Sequence, residues 1–189
     1  SQRVLSYDGV DCNTALVPGY TRLTQELDAT HKIQFHITPW QCFVAPRRDY
    51  DLIFTSPPYF DFEIYSPDPT QSCAGQATYE AWWQNFMQPA VRKMRALIKP
   101  EGHIALHIGH TYRTPTFVDD VKTLMVESLG LRFVQTIECL TVSKTRSKPT
   151  RPICIYVYQA PSPVSPGCSP STSTAEAGDT PTAKRLRVN

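Results

Sequence analysis

The chain has little of what marks several large protein classes. Its six cysteines, Cys12, Cys42, Cys73, Cys139, Cys154 and Cys168, stand singly. No Cys-x-x-Cys pair or cysteine–histidine cluster has zinc spacing, which excludes a zinc module of the usual kind. Several lie in strand-like runs, where cysteine acts as a small hydrophobe, and reduced structural cysteine suits an intracellular protein. No apolar run approaches the ~20 residues that cross a bilayer. Ser1-Gln2-Arg3-Val4-Leu5 leads into no long apolar segment, unlike a signal peptide. Net charge is only +2 over 189 residues, so the chain as a whole carries no electrostatic signature of nucleic-acid binding. A positive surface would have to be local, from Arg47, Arg48, Lys144, Arg146, Lys148 and Arg151. Glycine is sparse too: eight residues, none in a Gly-x-Gly pattern.

What is present is an ordinary globular composition, 41% hydrophobic and 19% charged, long enough for one domain with a real core. Seventeen prolines are unevenly spread. From Ala160 onward, Pro, Ser and Thr dominate and little is left to bury, so 160–189 reads as a disordered tail behind a domain of 1–159. The tail ends in Lys184-Arg185-Leu186-Arg187, a short basic cluster that suits a nuclear-import signal, a phosphate contact or simply a solvated end.

The first 159 residues alternate between strand-like and helix-like segments, the pattern of an α/β sheet. Strands are expected at 4–11, 32–38, 50–55, 103–108, 131–140 and 153–158. Helices are expected at 14–27 with Asn13 as N-cap, at 79–98, and at 116–129 closed by Gly130. Lys99-Pro100-Glu101-Gly102 should stop the long helix, and the last two strands should form a hairpin.

The most informative residues are Thr55-Ser56-Pro57-Pro58-Tyr59, which follow the apolar strand Tyr50–Phe54. Two prolines fix φ and remove two donors, leaving outward carbonyls in a rigid frame. A hydroxyl and an aromatic ring sit beside them. Together they suit a planar amine such as a nucleobase.

This loop resembles the catalytic loop of the S-adenosylmethionine-dependent amino-methyltransferases, which methylate an exocyclic or amide nitrogen. Ser-Pro-Pro-Tyr is most similar to the DNA N4-cytosine branch; the N6-adenine branch more often begins with Asp. The likeness extends along the chain. Gly9-Val10-Asp11-Cys12-Asn13 resembles the family's strand end before a helix. Lys99-Pro100-Glu101-Gly102-His103-Ile104, Gly130-Leu131-Arg132-Phe133 and Ile153-Cys154-Ile155-Tyr156-Val157-Tyr158 follow in the family's order.

The resemblance implies a Rossmann-like class I methyltransferase sheet with a C-terminal antiparallel hairpin. It implies S-adenosyl-L-methionine as cofactor and a DNA base, flipped out or single-stranded, as target. Ser56, Pro57, Pro58 and Tyr59 would be catalytic, with Ser56 and the Pro57 carbonyl accepting the amine hydrogens and Tyr59 stacking on the base. Asp11 would hold the ribose hydroxyls, with Asn13 and Thr55 beside the cofactor. Trp40 offers a ring to stack on adenine and Gln41 an acceptor for its amine, and both suit the core equally. Phe60, Phe62 and Tyr65 would line the base pocket, with Lys144 and Arg146 against DNA. No metal is called for.

The family's first strand, with its glycine-rich loop, has no counterpart here. That strand lies between the strand of Asp11 and the strand of Ser56, so its absence strands two apolar neighbours. Three arrangements answer this. The strand lies upstream of Ser1 in a longer product, a second chain supplies it, or 4–11 moves into the central slot; the first is favoured. A non-catalytic subunit, or an RNA or protein-glutamine methyltransferase, are the competing readings.

Overall fold

The computed structural model describes residues 6–28, 32–60, 71–111, 113–139, 153–163 and 184–186. Strand β1 (Tyr7–Asp11) leads through a 3-10 turn (Thr14–Leu16) into α1 (Val17–Glu26) and returns as β2 (Ile33–Ile37). Next come β3 (Tyr50–Thr55) and one long helix: α2 (Tyr79–Trp82), a π turn (Trp83–Met87) and α3 (Gln88–Leu97). They are followed by β4 (Ile98–Ile108), α4 (Phe117–Thr123) with a second π turn (Leu124–Ser128), β5 (Arg132–Cys139), β6 (Cys154–Gln159) and a short β7 (Lys184–Leu186).

Local chemistry accounts for these elements. Asn13 Oδ1 accepts from the Ala15 amide at 3.0 Å and opens the first helical turn. Thr78 Oγ1 accepts from the Ala81 amide at 3.1 Å and opens α2. Pro89 explains the first π turn. It has no amide to give to the carbonyl four residues back, and its ring crowds that carbonyl. The helix therefore widens just before it, and the Gln88 amide reaches Trp83 instead. Gly130, at φ 65°, ends the second helix in the left-handed region.

The sheet is broken in two. Among the described residues β1 pairs in parallel with β2 alone, from Tyr7 opposite Ile33 to Asp11 opposite Ile37. The other sheet has the order β3-β4-β6-β5-β7, with β3 parallel to β4 and β6 antiparallel to both β4 and β5. The expected α/β sheet and C-terminal hairpin are both present. The expected option of 4–11 in the central slot is not: β1 makes no ladder with β3. Side chains bridge the break instead. Tyr50, at the start of β3, donates its hydroxyl to Asp8 Oδ2 at 3.0 Å, and His36 Nε2 lies 2.9 Å from Asp8 Oδ1.

The core lies under one face of the larger sheet. Ile104, Leu106, Ile108 and Tyr158 point there and are sealed by Trp82, Met87, Val91, Phe117, Val118, Val121 and Met125. Tyr79 donates to Asp120 Oδ2 at 2.7 Å and ties the two helices together. Residues of β3 that point the other way are bare: Leu52 is 56% and Phe54 58% exposed. A concavity of about 770 Å³ opens on that face, lined in part by Leu52, Ala105 and Val157.

Two expected boundaries move. Lys99–Gly102 does not separate helix from strand; β4 begins at Ile98 and carries these residues as a bulge. Pairing with β3 jumps from Tyr50 opposite Ile98 to Leu52 opposite His103. Glu101 turns through φ 61°, and a side chain at Gly102 would lie 3.0 Å from the carbonyl oxygens of Lys99 and Tyr50. Order continues one residue beyond the expected boundary at 159. Ala160 is buried, donates to the Gly102 carbonyl at 2.9 Å and accepts from the Glu101 amide. Within the stretch read as a tail, Lys184–Leu186 pairs in parallel with Ile137–Cys139.

Candidate active site

The motif loop leaves the C-terminal end of β3, where Thr55 sits opposite Leu106 of β4. Ser56 is exposed and Pro57 buried. The Ser56 hydroxyl donates to the backbone carbonyl of His107 at 3.1 Å. A hydroxyl has one hydrogen and two lone pairs. With the hydrogen given to β4, Ser56 presents acceptor capacity alone. His107 therefore serves the site through its carbonyl, which no reading of side chains in the sequence revealed.

Tyr59 differs from expectation. It is 6% exposed and lies edge-on to Phe117, ring centroids 5.5 Å apart. In this arrangement the ring anchors the loop to the core and does not offer a stacking face. Phe60 is likewise packed on the core, beside Trp82 at 6.0 Å and edge-on to Tyr79. The apolar helical face beneath the loop draws both rings inward. Phe62, Tyr65, Lys144 and Arg146 lie outside the described residues.

A second group forms at the end of β1. Asp11 Oδ1 accepts from the Asn13 amide at 2.7 Å, and Oδ2 accepts from the Tyr20 hydroxyl at 2.8 Å. Each oxygen keeps a lone pair, which fits the two hydroxyls of a ribose. Tyr20 is held flat against Phe35, centroids 4.1 Å apart and planes within 7°. Burial, and then the bond to Asp11, push its hydroxyl up to about 12. Tyr20 thus orients Asp11, and its place on the β2-facing side of α1 was the available signal. The Asn13 side chain is committed to its cap, so the backbone of this residue serves Asp11 more directly.

The loop after β2 forms a third group. Trp40 packs against the core, stacks on Phe43 at 5.7 Å and donates Nε1 to the Ala90 carbonyl at 3.4 Å. Gln41 is exposed. Lys93 of α3 reaches this loop and donates to the carbonyls of Trp40, Gln41 and Phe43. Among the described residues no cluster of His, Cys, Asp or Glu could hold a metal, and no helix is long and apolar enough to cross a membrane.

A family model described as DNA methylase, of the N6/N4 amino-methyltransferase kind, matches residues 50–159, more than half of the chain. The chain belongs to the DNA methylase family. Its methyl donor is accordingly S-adenosylmethionine, and the enzyme is an S-adenosylmethionine-dependent methyltransferase. No curated protein matches the sequence.

Solved structures agree on the fold of this DNA methylase. The N-methyltransferase NodS from Bradyrhizobium japonicum, in complex with S-adenosylhomocysteine, is 17% identical with a TM-score of 0.53, over 82% of this chain and 67% of that one. An S-adenosylmethionine-dependent methyltransferase from Methanosarcina mazei is 8% identical with a TM-score of 0.51, over 84% and 83%. The [4+2]-cyclase SpnF is 10% identical with a TM-score of 0.53, over 84% and 68%. A cyclase among the neighbours shows that this likeness concerns architecture and leaves chemistry to the site.

Proposed function

We propose that the Ser56–Tyr59 loop directs methyl transfer to the exocyclic amine of a DNA base, cytosine N4 in preference to adenine N6. The carrying observation is the Ser56–His107 bond, because it leaves the Ser56 oxygen as an acceptor. An exocyclic amine is a poor nucleophile, since its lone pair is delocalised into the ring. Ser56 Oγ accepts one amine hydrogen and the Pro57 carbonyl the other. Both contacts strengthen as the nitrogen becomes pyramidal and gains positive charge. The cofactor supplies an electrophilic methyl. Asp11 would hold the ribose end and the Trp40–Gln41 loop the adenine end, so most of the acceleration would come from placement.

The base must leave the duplex or arrive single-stranded to reach this loop. Phe60, at the end of this loop, is the described residue that would border the pocket for that base. Tyr59 stacks on the base only after turning away from Phe117; as observed, it holds the loop.

The lack of a ladder between β1 and β3 among the described residues favours a second reading. A strand from outside these residues, upstream or in another chain, would complete the sheet and the methionine end of the cofactor site. Without it the chain would act as a non-catalytic subunit. Calorimetric binding of S-adenosylhomocysteine, with Asp11→Ala alongside, separates the two. Binding lost in the variant supports the enzyme; no binding by the folded chain supports the subunit. Incubation with labelled cofactor and DNA, followed by nucleoside analysis, then reads the base. N6-methyladenine as sole product would overturn the cytosine assignment.

A further inference from the structure

Lys93 stands out in a helix whose neighbours serve the core. Ala90, Val91, Met94 and Leu97 of α3 are all buried. Lys93 lies three residues beyond Ala90 and four before Leu97, on the border of that apolar stripe. Burial lowers its pKa from the usual lysine value. A lysine in such a place needs compensation, and here it comes from one loop. The Lys93 ammonium donates to the carbonyls of Trp40 at 2.7 Å, Phe43 at 2.5 Å and Gln41 at 3.4 Å. It also lies 5.0 Å from the centre of the Trp40 ring and 5.6 Å from that of Phe43.

The loop is shaped to need this cation. Pro39 accepts from the amides of both Cys42 and Phe43, so 39–43 forms a single helical turn. The Trp40 carbonyl accepts from the Phe43 amide at 3.3 Å, and the carbonyls at the end of such a turn carry partial negative charge. Lys93 gathers three of them. The Trp40 indole binds α3 one turn earlier, at Ala90. The break between β1 and β3 gives this clasp its importance. The β1–β2 unit carries Asp11, the larger sheet carries Ser56, and no backbone ladder joins them among the described residues.

We infer that Lys93 is a positioning residue: it fixes the loop 39–43 against α3 and so sets the adenine end of the cofactor site relative to the catalytic sheet. This rests on the reading of Trp40 and Gln41 as cofactor contacts. Lys93 touches neither cofactor nor base. It acts through the loop backbone, and its ammonium matters more than its stem.

The test uses the full 189-residue chain, S-adenosylhomocysteine as probe, and Lys93→Met, which keeps the length of the stem and removes the donors. Circular dichroism confirms folding. Calorimetry should show affinity for S-adenosylhomocysteine falling about tenfold, equivalent to ~1.4 kcal/mol. Acrylamide quenching should rise in Lys93→Met and not in Lys93→Met combined with Trp40→Phe, which assigns the change to the Trp40 indole. Lys93→Arg should recover a good part of the affinity; a role in packing alone would not be rescued by charge. Lys93→Gln, which keeps a donor on a shorter stem, carries the same test if Lys93→Met does not fold.

The failures are distinguishable. If Trp40→Ala weakens binding while Lys93→Met leaves it intact, the inference about Lys93 is wrong and the cofactor loop stands. If neither variant alters binding while Asp11→Ala abolishes it, the loop is not a cofactor contact and both statements fall. If the parent chain binds no S-adenosylhomocysteine, the cofactor reading and this role of Lys93 fall together.

Discussion

Replacing Ser56 with Ala should separate catalysis from stability cleanly. The Ser56 side chain is exposed, and its hydroxyl makes one bond, 3.1 Å long, to the His107 carbonyl. A neutral hydrogen bond contributes about 0.5–1.5 kcal/mol net. Here water can replace it at the exposed carbonyl, so the loss should lie at the lower end. At ~0.5 kcal/mol the unfolding midpoint of a domain this size falls by about 1–2 °C. The transition state loses much more. Removing one preorganised hydrogen-bonding group from developing charge costs about 10²–10³ in kcat, or ~2.7–4 kcal/mol. The assay is transfer of labelled methyl to DNA at saturating cofactor, alongside thermal unfolding and binding of S-adenosylhomocysteine. The expected result is kcat down by about a hundredfold, with binding unchanged and unfolding nearly so. Ser56→Thr, which keeps a hydroxyl, should be affected less. A fall in kcat of under about threefold would refute the assignment of Ser56 as amine acceptor. A fall that tracked a loss of folded protein would refute the claim that the bond to His107 is structurally minor.

Three further outcomes follow from packing and titration. Trp82, fully buried among Phe60, Phe86 and Phe117, should cost about 3–5 kcal/mol as Trp82→Ala, read by urea unfolding. Gly102→Ala drives a methyl against two backbone oxygens at 3.0 Å and should cost about 1–3 kcal/mol, whereas Gly19→Ala in α1, with nothing within 4 Å, should gain up to ~1 kcal/mol; equal effects at both sites would sink the bulge argument. Tyr20 has its folded pKa raised from 10.0 to about 12, so its contribution is complete below pH 10 and is lost as pH rises towards 12. Stability should therefore decline across that window, and Tyr20→Phe should make the decline shallower; an unchanged slope would mean that neither the burial of Tyr20 nor its bond to Asp11 holds in solution.

The strand and helix order was legible in the sequence because it rests on local periodicity and punctuation. Tyr50–Thr55 ends at the motif as its apolar run requires, Asn13 and Thr78 sit where helices need caps, and Gly130 closes where φ must be positive. The lack of a counterpart to the family's first strand was also visible, and among the described residues no ladder joins β1 to β3. Pro89 carried the signal for a π turn, although the periodic pattern alone reads straight through it.

Other features depended on residues far apart in the chain meeting in three dimensions. Lys93 and Trp40 are separated by 53 positions, Ser56 and His107 by 51, and Tyr50 and Asp8 by 42. Neither periodicity nor a motif encodes such pairs, because each depends on how elements stack. The inward turn of Tyr59 is of the same kind: the motif offers a ring, and the apolar surface of Phe117 and its neighbours decides which way it faces. The sequence by itself determined the elements, their order and which side chains the loop carries. Tertiary packing decided which of those groups are presented to a ligand, which are spent on holding the site together, and where the sheet stays open.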